Sequence, residues 1–185
     1  MRKFIVISIV LLMLAGFAIT SSAVDLVVGR ELITVGSLTV TESGGDLVVT
    51  YTITDSEWEL LETHLYVGYT NPEELTSAPG QFPYSEEHDP AVLTVTYIIE
   101  ISEIDSYKLK GGKKWVVDDI AVPVDPIYYI AAHAEIGKID ELGDPVLVDP
   151  EDIDSEQIEE TTWAYGVDEI RSGKNWAMYF TFPVE

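Results

Sequence analysis

Apolar and polar residues alternate along most of the chain, and this pattern predicts β-strands. Between residues 47 and 54 every second residue is apolar, and most of the residues between them are threonines. A period of two places the apolar set on one face of a strand and the polar set on the other. Gly44 and Gly45 come directly before this segment, and glycine supplies the positive φ that a tight hairpin needs. We therefore predict one strand within 26–42 and another within 47–54, joined at this turn.

The same period recurs along the rest of the chain. It predicts strands at 58–69, 92–101, 115–124, 127–136, 160–166 and 175–184, whereas the 3.6-residue period of a helix of ordinary length is not found in this part of the sequence. About eight strands without helical crossovers favour an all-β fold, an antiparallel two-sheet sandwich. A closed barrel is the alternative architecture.

The first 23 residues have the pattern of a secretory signal. Arg2 and Lys3 precede an uncharged apolar run, which is followed by small residues at Ser21 and Ala23. We predict a signal helix that is cleaved after Ala23, because the apolar run is shorter than the roughly 20 residues that a membrane-spanning helix prefers. The expected mature chain is a single secreted or envelope-located domain, residues 24–185, with no membrane association after cleavage.

Charge and composition restrict the partners of this mature chain. Cleavage would leave eight basic and 33 acidic residues, a net charge of −25. Such a charge disfavours nucleic acid and anionic lipid as partners. The chain has no cysteine, so its stability must come from burial and from hydrogen bonds within the sheet.

Three segments interrupt the strand pattern. Residues 71–90 contain four prolines, so we predict a long surface loop in which Phe82 and Tyr84 are exposed candidates for ligand binding. Lysines cluster at positions 108–114, where we expect them to pair with the chain's own carboxylates. Residues 140–160 are rich in acidic side chains that would suit Ca²⁺, but they lack the glycine and ligand spacing of a calcium loop. A solvated acidic loop is the preferred interpretation.

Histidines and glutamates on two predicted strands form the candidate metal site. His64 shares a face with Glu62, and His133 shares a face with Glu135, because side chains two residues apart on a strand point the same way. If the two strands were antiparallel neighbours with residue 64 opposite residue 133, all four side chains would converge. Two imidazoles and two carboxylates can hold zinc or another divalent ion. The alternative is that each histidine is structural and hydrogen bonded to a carboxylate or a backbone carbonyl.

Five segments of the chain, in the same order, resemble a recurrent domain of uncharacterised function in secreted and surface proteins of bacteria and archaea. The resemblance covers most of the chain after Trp58, and it departs from the pattern near 102–125 and 140–157. It implies an extracellular, non-catalytic β domain and no particular activity. The segments are W-E-L-L-E-T-H-L-Y-V-G (58–68), P-G-Q-F-P-Y (79–84), Y-I-A-A-H-A (129–134), T-T-W-A-Y-G (161–166) and N-W-A-M-Y-F (175–180).

Three functions remain open at the level of the sequence. The leading hypothesis is a secreted binding or structural module whose partner is an extracellular or envelope protein or a glycan. The second is a metal-binding protein or metal-dependent hydrolase centred on His64 and His133. The third is an extracellular fibre subunit in which the apolar segment 26–40 completes a neighbour's sheet. The sequence contains no cysteine nucleophile, no G-x-S-x-G, no phosphate-binding glycine loop and no H-E-x-x-H, which disfavours an enzyme.

Overall fold

The computed structural model describes residues 20–29, 31–75, 77–112, 114–119, 126–148, 156–166, 168–170 and 177–183. Within these ranges the regular elements are twelve β-strands and three single-turn 3-10 helices, which confirms the prediction of an all-β fold. The strands are β1 (Thr20–Val28), β2 (Ile33–Ser43), β3 (Asp46–Ile53), β4 (Trp58–Gly68), β5 (Tyr84–Val92), β6 (Thr94–Glu100), β7 (Ser106–Lys110), β8 (Lys114–Asp118), β9 (Ile127–Lys138), β10 (Glu159–Ala164), β11 (Asp168–Glu169) and β12 (Met178–Pro183).

Eight strands form one antiparallel sheet in the order β5-β4-β9-β10-β1-β2-β3-β6. Its two terminal strands, β5 and β6, follow one another directly in the chain, so the sheet curls until it is nearly closed. Strand β12 continues beside β9 beyond the end of β10, and β7 pairs only with β8 in a separate hairpin. The continuous sheet corresponds to the predicted barrel alternative more closely than to two separate sheets.

The N-terminal strands differ from the prediction in one respect. The segment that was predicted as a single strand before the Gly-Gly turn is a hairpin, because the chain reverses between Val28 and Ile33. Gly29 and Leu32 both have positive φ, of 63° and 55°, in this turn. Residues Leu26, Val27 and Val28 pair with β10 on one side and β2 on the other. The strand that the fibre hypothesis would donate to a neighbour therefore has both edges occupied at this point.

An aliphatic core fills the inside of the curled sheet. Alternate residues of β2, β3, β4, β6 and β9 point inward and exclude water almost completely, as the period of two predicts. Each fully buried aliphatic side chain stabilises the fold by roughly 1.5–3 kcal/mol. Members of this core include Leu38, Val40, Leu47, Val49, Leu60, Leu65, Val67, Ile130, Ala132, Ala134 and Ile136.

A β-bulge in β4 changes which residues face this core. The pairing of β4 with both neighbours shifts between Leu60 and Glu62, and the extra residue is Leu61. Strict alternation would place Leu60 on the same face as Glu62. The bulge instead turns Leu60 into the core with Leu65 and leaves Glu62 on the outer face.

The outer face of β4 and β9 is covered by a second, aromatic cluster. The β7–β8 hairpin and the segment 72–82 fold over it, so that Tyr66, Phe82, Trp115 and Trp163 pack together. The prediction that Phe82 is exposed is wrong, because its ring fills this cluster and only 6% of the residue remains accessible. Residues 84–90, predicted as loop, form most of β5, and Pro90 is tolerated there because β5 is an edge strand.

Other predicted segments are described in part. Lys108 forms an ion pair with Asp118 across the β7–β8 hairpin, in agreement with pairing to the chain's own carboxylates. In the acidic segment, the Asp140 carboxylate accepts hydrogen bonds from the backbone N–H groups of Leu142 and Asp144 and closes a turn, whereas 149–155 lie outside the described residues. The signal helix also lies outside them, and Ala23 is paired with Thr39 inside β1. None of the described helices has the length and apolar character needed to cross a membrane.

Candidate metal centre

The register between β4 and β9 brings the two histidines directly opposite each other. His64 pairs with His133, and Glu62 pairs with Glu135. Directly opposed residues of an antiparallel pair have Cβ atoms about 4.5–5.5 Å apart. The sequence predicted that the four side chains converge if the two strands are antiparallel neighbours with residue 64 opposite residue 133. The structure meets this condition.

The flanking strands extend this arrangement into two rows that cross four strands. One row runs from Ser85 on β5 through the two histidines to Trp163 on β10. The other runs from Glu87 through Glu62 and Glu135 to Thr161. An imidazole row therefore lies beside a carboxylate row on the outer face.

His64 is held from both sides of the sheet. Its backbone carbonyl accepts a hydrogen bond of 2.9 Å from the hydroxyl of Tyr51, which belongs to the inner core. On the outer face its Nε2 lies 3.1 Å from Oε1 of Glu62. Its Nδ1 is buried and has no hydrogen-bond partner among the described residues. Ligation of a metal through Nε2 would place the ring proton on Nδ1, where no described residue accepts it.

His133 lies deeper, against the aromatic cluster. Its ring centroid is 4.9 Å from that of Trp163, in an edge-to-face arrangement, and 5.5 Å from that of His64. Burial, and secondarily the neighbouring His64, lower the pKa of His133 to about 3. The imidazole is therefore neutral at ordinary pH and does not repel a cation. Its Nδ1 also has no hydrogen-bond partner in the described part of the chain.

Glu135 occupies an electrostatically unfavourable position. Burial raises its pKa, and the nearby carboxylates of Glu62 and Glu159 raise it further, while His64 lowers it. Neither Glu62 nor Glu135 forms an ion pair with a lysine or arginine within the described ranges. The described basic group nearest to the two carboxylates is the His64 imidazole, and a bound cation would supply a full counter-charge.

Three of the four predicted metal ligands come together. Donor atoms of Glu62, His64 and Glu135 all lie within 4.8 Å of one another. His133 stands next to this group, but its nitrogens lie outside the three-donor set, because its ring packs against Trp163 instead. Of the four side chains predicted as ligands, the structure therefore brings three donors together and leaves a neutral histidine beside them.

An acidic cavity adjoins the three donors. Its volume is about 280 Å³, and Glu135, Glu159, Glu160 and Thr161 line it. A cavity lined by one sign of charge concentrates ions of the opposite sign. Of the three donors, Glu135 is the one that lines this cavity.

The other candidate site residues are distributed differently. Phe82 is part of the buried aromatic cluster, and Tyr84 is half-buried with its ring 6.4 Å from that of Tyr97. The third histidine, His88, lies on the opposite side of β4, where its Nε2 is 3.0 Å from the hydroxyl of Thr63. The structure does not bring Phe82, Tyr84 or His88 into the three-donor group.

Sequence reasoning missed three residues that surround the centre. Glu159 and Trp163 lie on β10, where alternation with Thr161 marks one face of the strand. That these two residues lie near His133 and Glu135 could not be predicted without knowing that β9 pairs with β10. Glu87 lies within the segment predicted as loop, so its position opposite Glu62 had no signal in the pattern.

No family model, curated protein or solved structure matches this chain. The resemblance to a secreted domain stays a prediction, and function must be argued from the site itself.

Proposed function

We propose that the protein is a secreted or cell-surface β domain that binds one divalent metal ion through Glu62, His64 and Glu135. The observation that carries the proposal is the β4–β9 register, which places these three donors within 4.8 Å of one another. The residues come from two strands of a rigid sheet, so the site needs little reorganisation to accept an ion.

The donor spacing is compatible with a zinc-sized ion. Zinc bonds nitrogen and carboxylate oxygen at about 2.0–2.2 Å, so neighbouring ligand atoms of a tetrahedral site lie roughly 3.3 Å apart. The distance between Nε2 of His64 and Oε1 of Glu62 is 3.1 Å. The Glu135 donor lies within 4.8 Å of the other two, so its carboxylate would have to move toward them to complete a tetrahedral site.

The donor types discriminate between the two metals considered from the sequence. Calcium takes six to eight oxygen ligands, whereas imidazole suits zinc and other transition-metal ions. A site with His64 among three donors favours the second class. Two carboxylate ligands also neutralise the charge of a divalent ion and reduce its power as a Lewis acid. The proposal is therefore metal binding and not hydrolysis.

The absence of a hydrogen-bond partner among the described residues for the second ring nitrogen of His64 lowers the metal affinity that we expect. A histidine ligand usually donates its second N–H to a carboxylate or carbonyl, and losing such a partner costs about 10–100-fold in affinity. Nδ1 of His64 has no partner of this kind within the described residues. The ion should exchange with solution, which distinguishes this centre from a structural zinc site.

The test is titration of purified, metal-stripped protein with Zn²⁺ by calorimetry, followed by metal analysis. Wild type should bind close to one ion per chain, and His64→Ala and Glu135→Gln should each weaken binding by at least about tenfold, which is 1.4 kcal/mol. His88→Ala and Glu141→Gln are matched controls, because they remove a histidine and an exposed carboxylate outside the site. Equal binding by all five proteins, or none by wild type, contradicts the proposal.

The proposed location rests on the signal pattern of residues 1–23 and needs its own test. Fractionation of cells that express the full chain should place the protein outside the cytoplasm. N-terminal sequencing should find a mature chain that begins at Val24. That chain keeps Val24–Val28 of β1, including the residues that pair with β10. An intact N-terminus in the cytoplasmic fraction would contradict this part of the proposal.

A further inference from the structure

A second concave site lies at the other end of the outer face of β4 and β9, away from the three donors. It is a cleft of about 370 Å³ between the end of β4, the start of β9 and the β7–β8 hairpin. Three tyrosines, Tyr69, Tyr107 and Tyr129, contribute to its lining. A cleft of 300–1,000 Å³ with aromatic walls and a few polar groups has the usual properties of a small-molecule site.

Hydrogen bonds between its walls fix the shape of this cleft before any ligand binds. The hydroxyl of Thr70 donates to the backbone carbonyl of Tyr107 and accepts from its N–H, both at 2.8 Å. The hydroxyl of Tyr66 donates to the carbonyl of Thr70 at 2.6 Å. These bonds join the end of β4 to the hairpin, so a ligand would not have to order the site.

Each tyrosine of the cleft is also oriented by a second aromatic ring. The ring centroids of Tyr69 and Tyr128 are 5.5 Å apart, those of Tyr107 and Tyr66 are 5.7 Å apart, and those of Tyr129 and Tyr179 are 6.0 Å apart. All three lining tyrosines remain only half-buried. Tyr107 and Tyr129, which pack with the outer aromatic cluster, offer fixed, amphipathic contact surfaces, and such surfaces bind at a small cost in conformational entropy. The ring of Tyr69 packs against the inner core.

The polar lining indicates the class of ligand. Asn71, Glu74 and Ser106 line the cleft with the Lys108–Asp118 ion pair. The Oδ1 of Asn71 already accepts a hydrogen bond from the N–H of Glu73, and Ser106 is buried. Two carboxylates against one lysine disfavour an anion. The many donors and acceptors disfavour a purely apolar ligand.

We propose that this cleft binds a neutral saccharide residue, whose ring would pack against the tyrosines while its hydroxyls bond to the polar side chains. A sugar ring combines apolar C–H faces with hydroxyls that both donate and accept, which matches this lining. The proposal is independent of the metal centre, since the two sites share no residue.

The experiment is calorimetric titration of the full mature protein with maltotriose, mannotriose and chitotriose, in chelator so that the metal centre plays no part. At least one of them should bind saturably at one per chain. Tyr129→Ala should weaken this binding by about tenfold or more. Tyr129→Phe keeps the ring and should remain near wild type. Tyr165→Ala is the matched control, because Tyr165 is 46% exposed and does not line the cleft.

A second variant, Lys108→Met, tests saccharide binding at the cleft if Tyr129→Ala does not fold. Lys108→Met removes the hydrogen-bond donors of a side chain that is 57% exposed, so it should weaken saccharide binding about tenfold with little loss of stability. The proposal is overturned if none of the three saccharides binds, or if binding is unchanged in both Tyr129→Ala and Lys108→Met. Binding of trigalacturonate alone, an anionic saccharide, would also overturn it.

Discussion

The two faces of β4 and β9 are both largely closed to water, yet they are built from different chemistry. The inner face carries Leu65, Val67, Ala132 and Ala134, which have no titratable group and no polar side-chain atom. The outer face of the same strands carries Glu62, His64, His133 and Glu135 beside an aromatic cluster. Identical backbone pairing thus supports a core on one side and a polar centre on the other.

This contrast separates residues that stabilise the fold from residues that cost stability. An unpaired buried polar group destabilises a protein by about 1–3 kcal/mol. The outer face contains two buried imidazole nitrogens without hydrogen-bond partners among the described residues, and a pair of opposed carboxylates. Among the described residues on the inner face of these strands the comparable cost is a single group, the buried hydroxyl of Tyr128.

The largest effect is expected on the inner face. Leu65→Ala should lower the free energy of unfolding by roughly 2–5 kcal/mol, because it leaves a cavity in a fully closed core. Denaturant unfolding measures this loss. The outer-face variant Thr161→Ala, at an exposed position, should change stability by less than about 0.5 kcal/mol. Similar losses in the two variants would remove the distinction between the faces.

An intermediate effect on the free energy of unfolding is expected from the titration of His133. Its pKa is about 3 in the fold and 6.5 as the ordinary value, so the unfolded chain takes up a proton as the pH falls below 6.5 and the folded chain does not. Folding stability must therefore fall with pH in the window from 6.5 to 3, by about 2 kcal/mol between pH 6.5 and 4.5 from this group. His133→Phe should remove that part of the pH dependence, measured by denaturant unfolding in chelator. An unchanged slope would show that His133 is protonated inside the fold.

The smallest effect is expected from Glu135→Gln. The raised pKa of Glu135 means that the fold favours its neutral form, so the stability tied to that proton is lost as the pH rises through the folded-state pKa. The neutral amide should therefore stabilise metal-free protein at pH 7, by less than about 1 kcal/mol because the group is partly solvated. Thermal unfolding in chelator measures the gain.

The greater stability of Glu135→Gln relative to wild type should be lost when zinc is present. At an ion concentration about 100 times the dissociation constant, wild type should gain about 2.7 kcal/mol, whereas Glu135→Gln should gain much less. A reversal of the stability order on adding Zn²⁺ would identify Glu135 as a residue kept for binding. Destabilisation of metal-free Glu135→Gln would instead assign the carboxylate a structural role.

Much of the strand content follows from local pattern. The predicted strands at 58–69, 92–101 and 127–136 correspond to β4, β6 and β9, since alternation over eight or more residues has a single simple explanation. The turn between β1 and β2 was missed because apolar residues resume at Leu32, and the positive φ of this non-glycine residue has no signal in the sequence. Strand β5 was missed because prolines usually indicate a loop, although an edge strand accepts them.

The sequence by itself determined that this is an all-β protein and that Glu62 shares a face with His64 and His133 with Glu135, because the side-chain period of a strand is local. Only the tertiary structure decided that β4 and β9 are neighbours and that residue 64 lies opposite residue 133. Pairing between strands so far apart in the chain depends on the packing of the whole core and on the bulge at Leu61, which sets the register. The burial of Phe82 and the cleft beside Tyr129 likewise depend on how the β7–β8 hairpin folds over the sheet, and no local pattern encodes that contact.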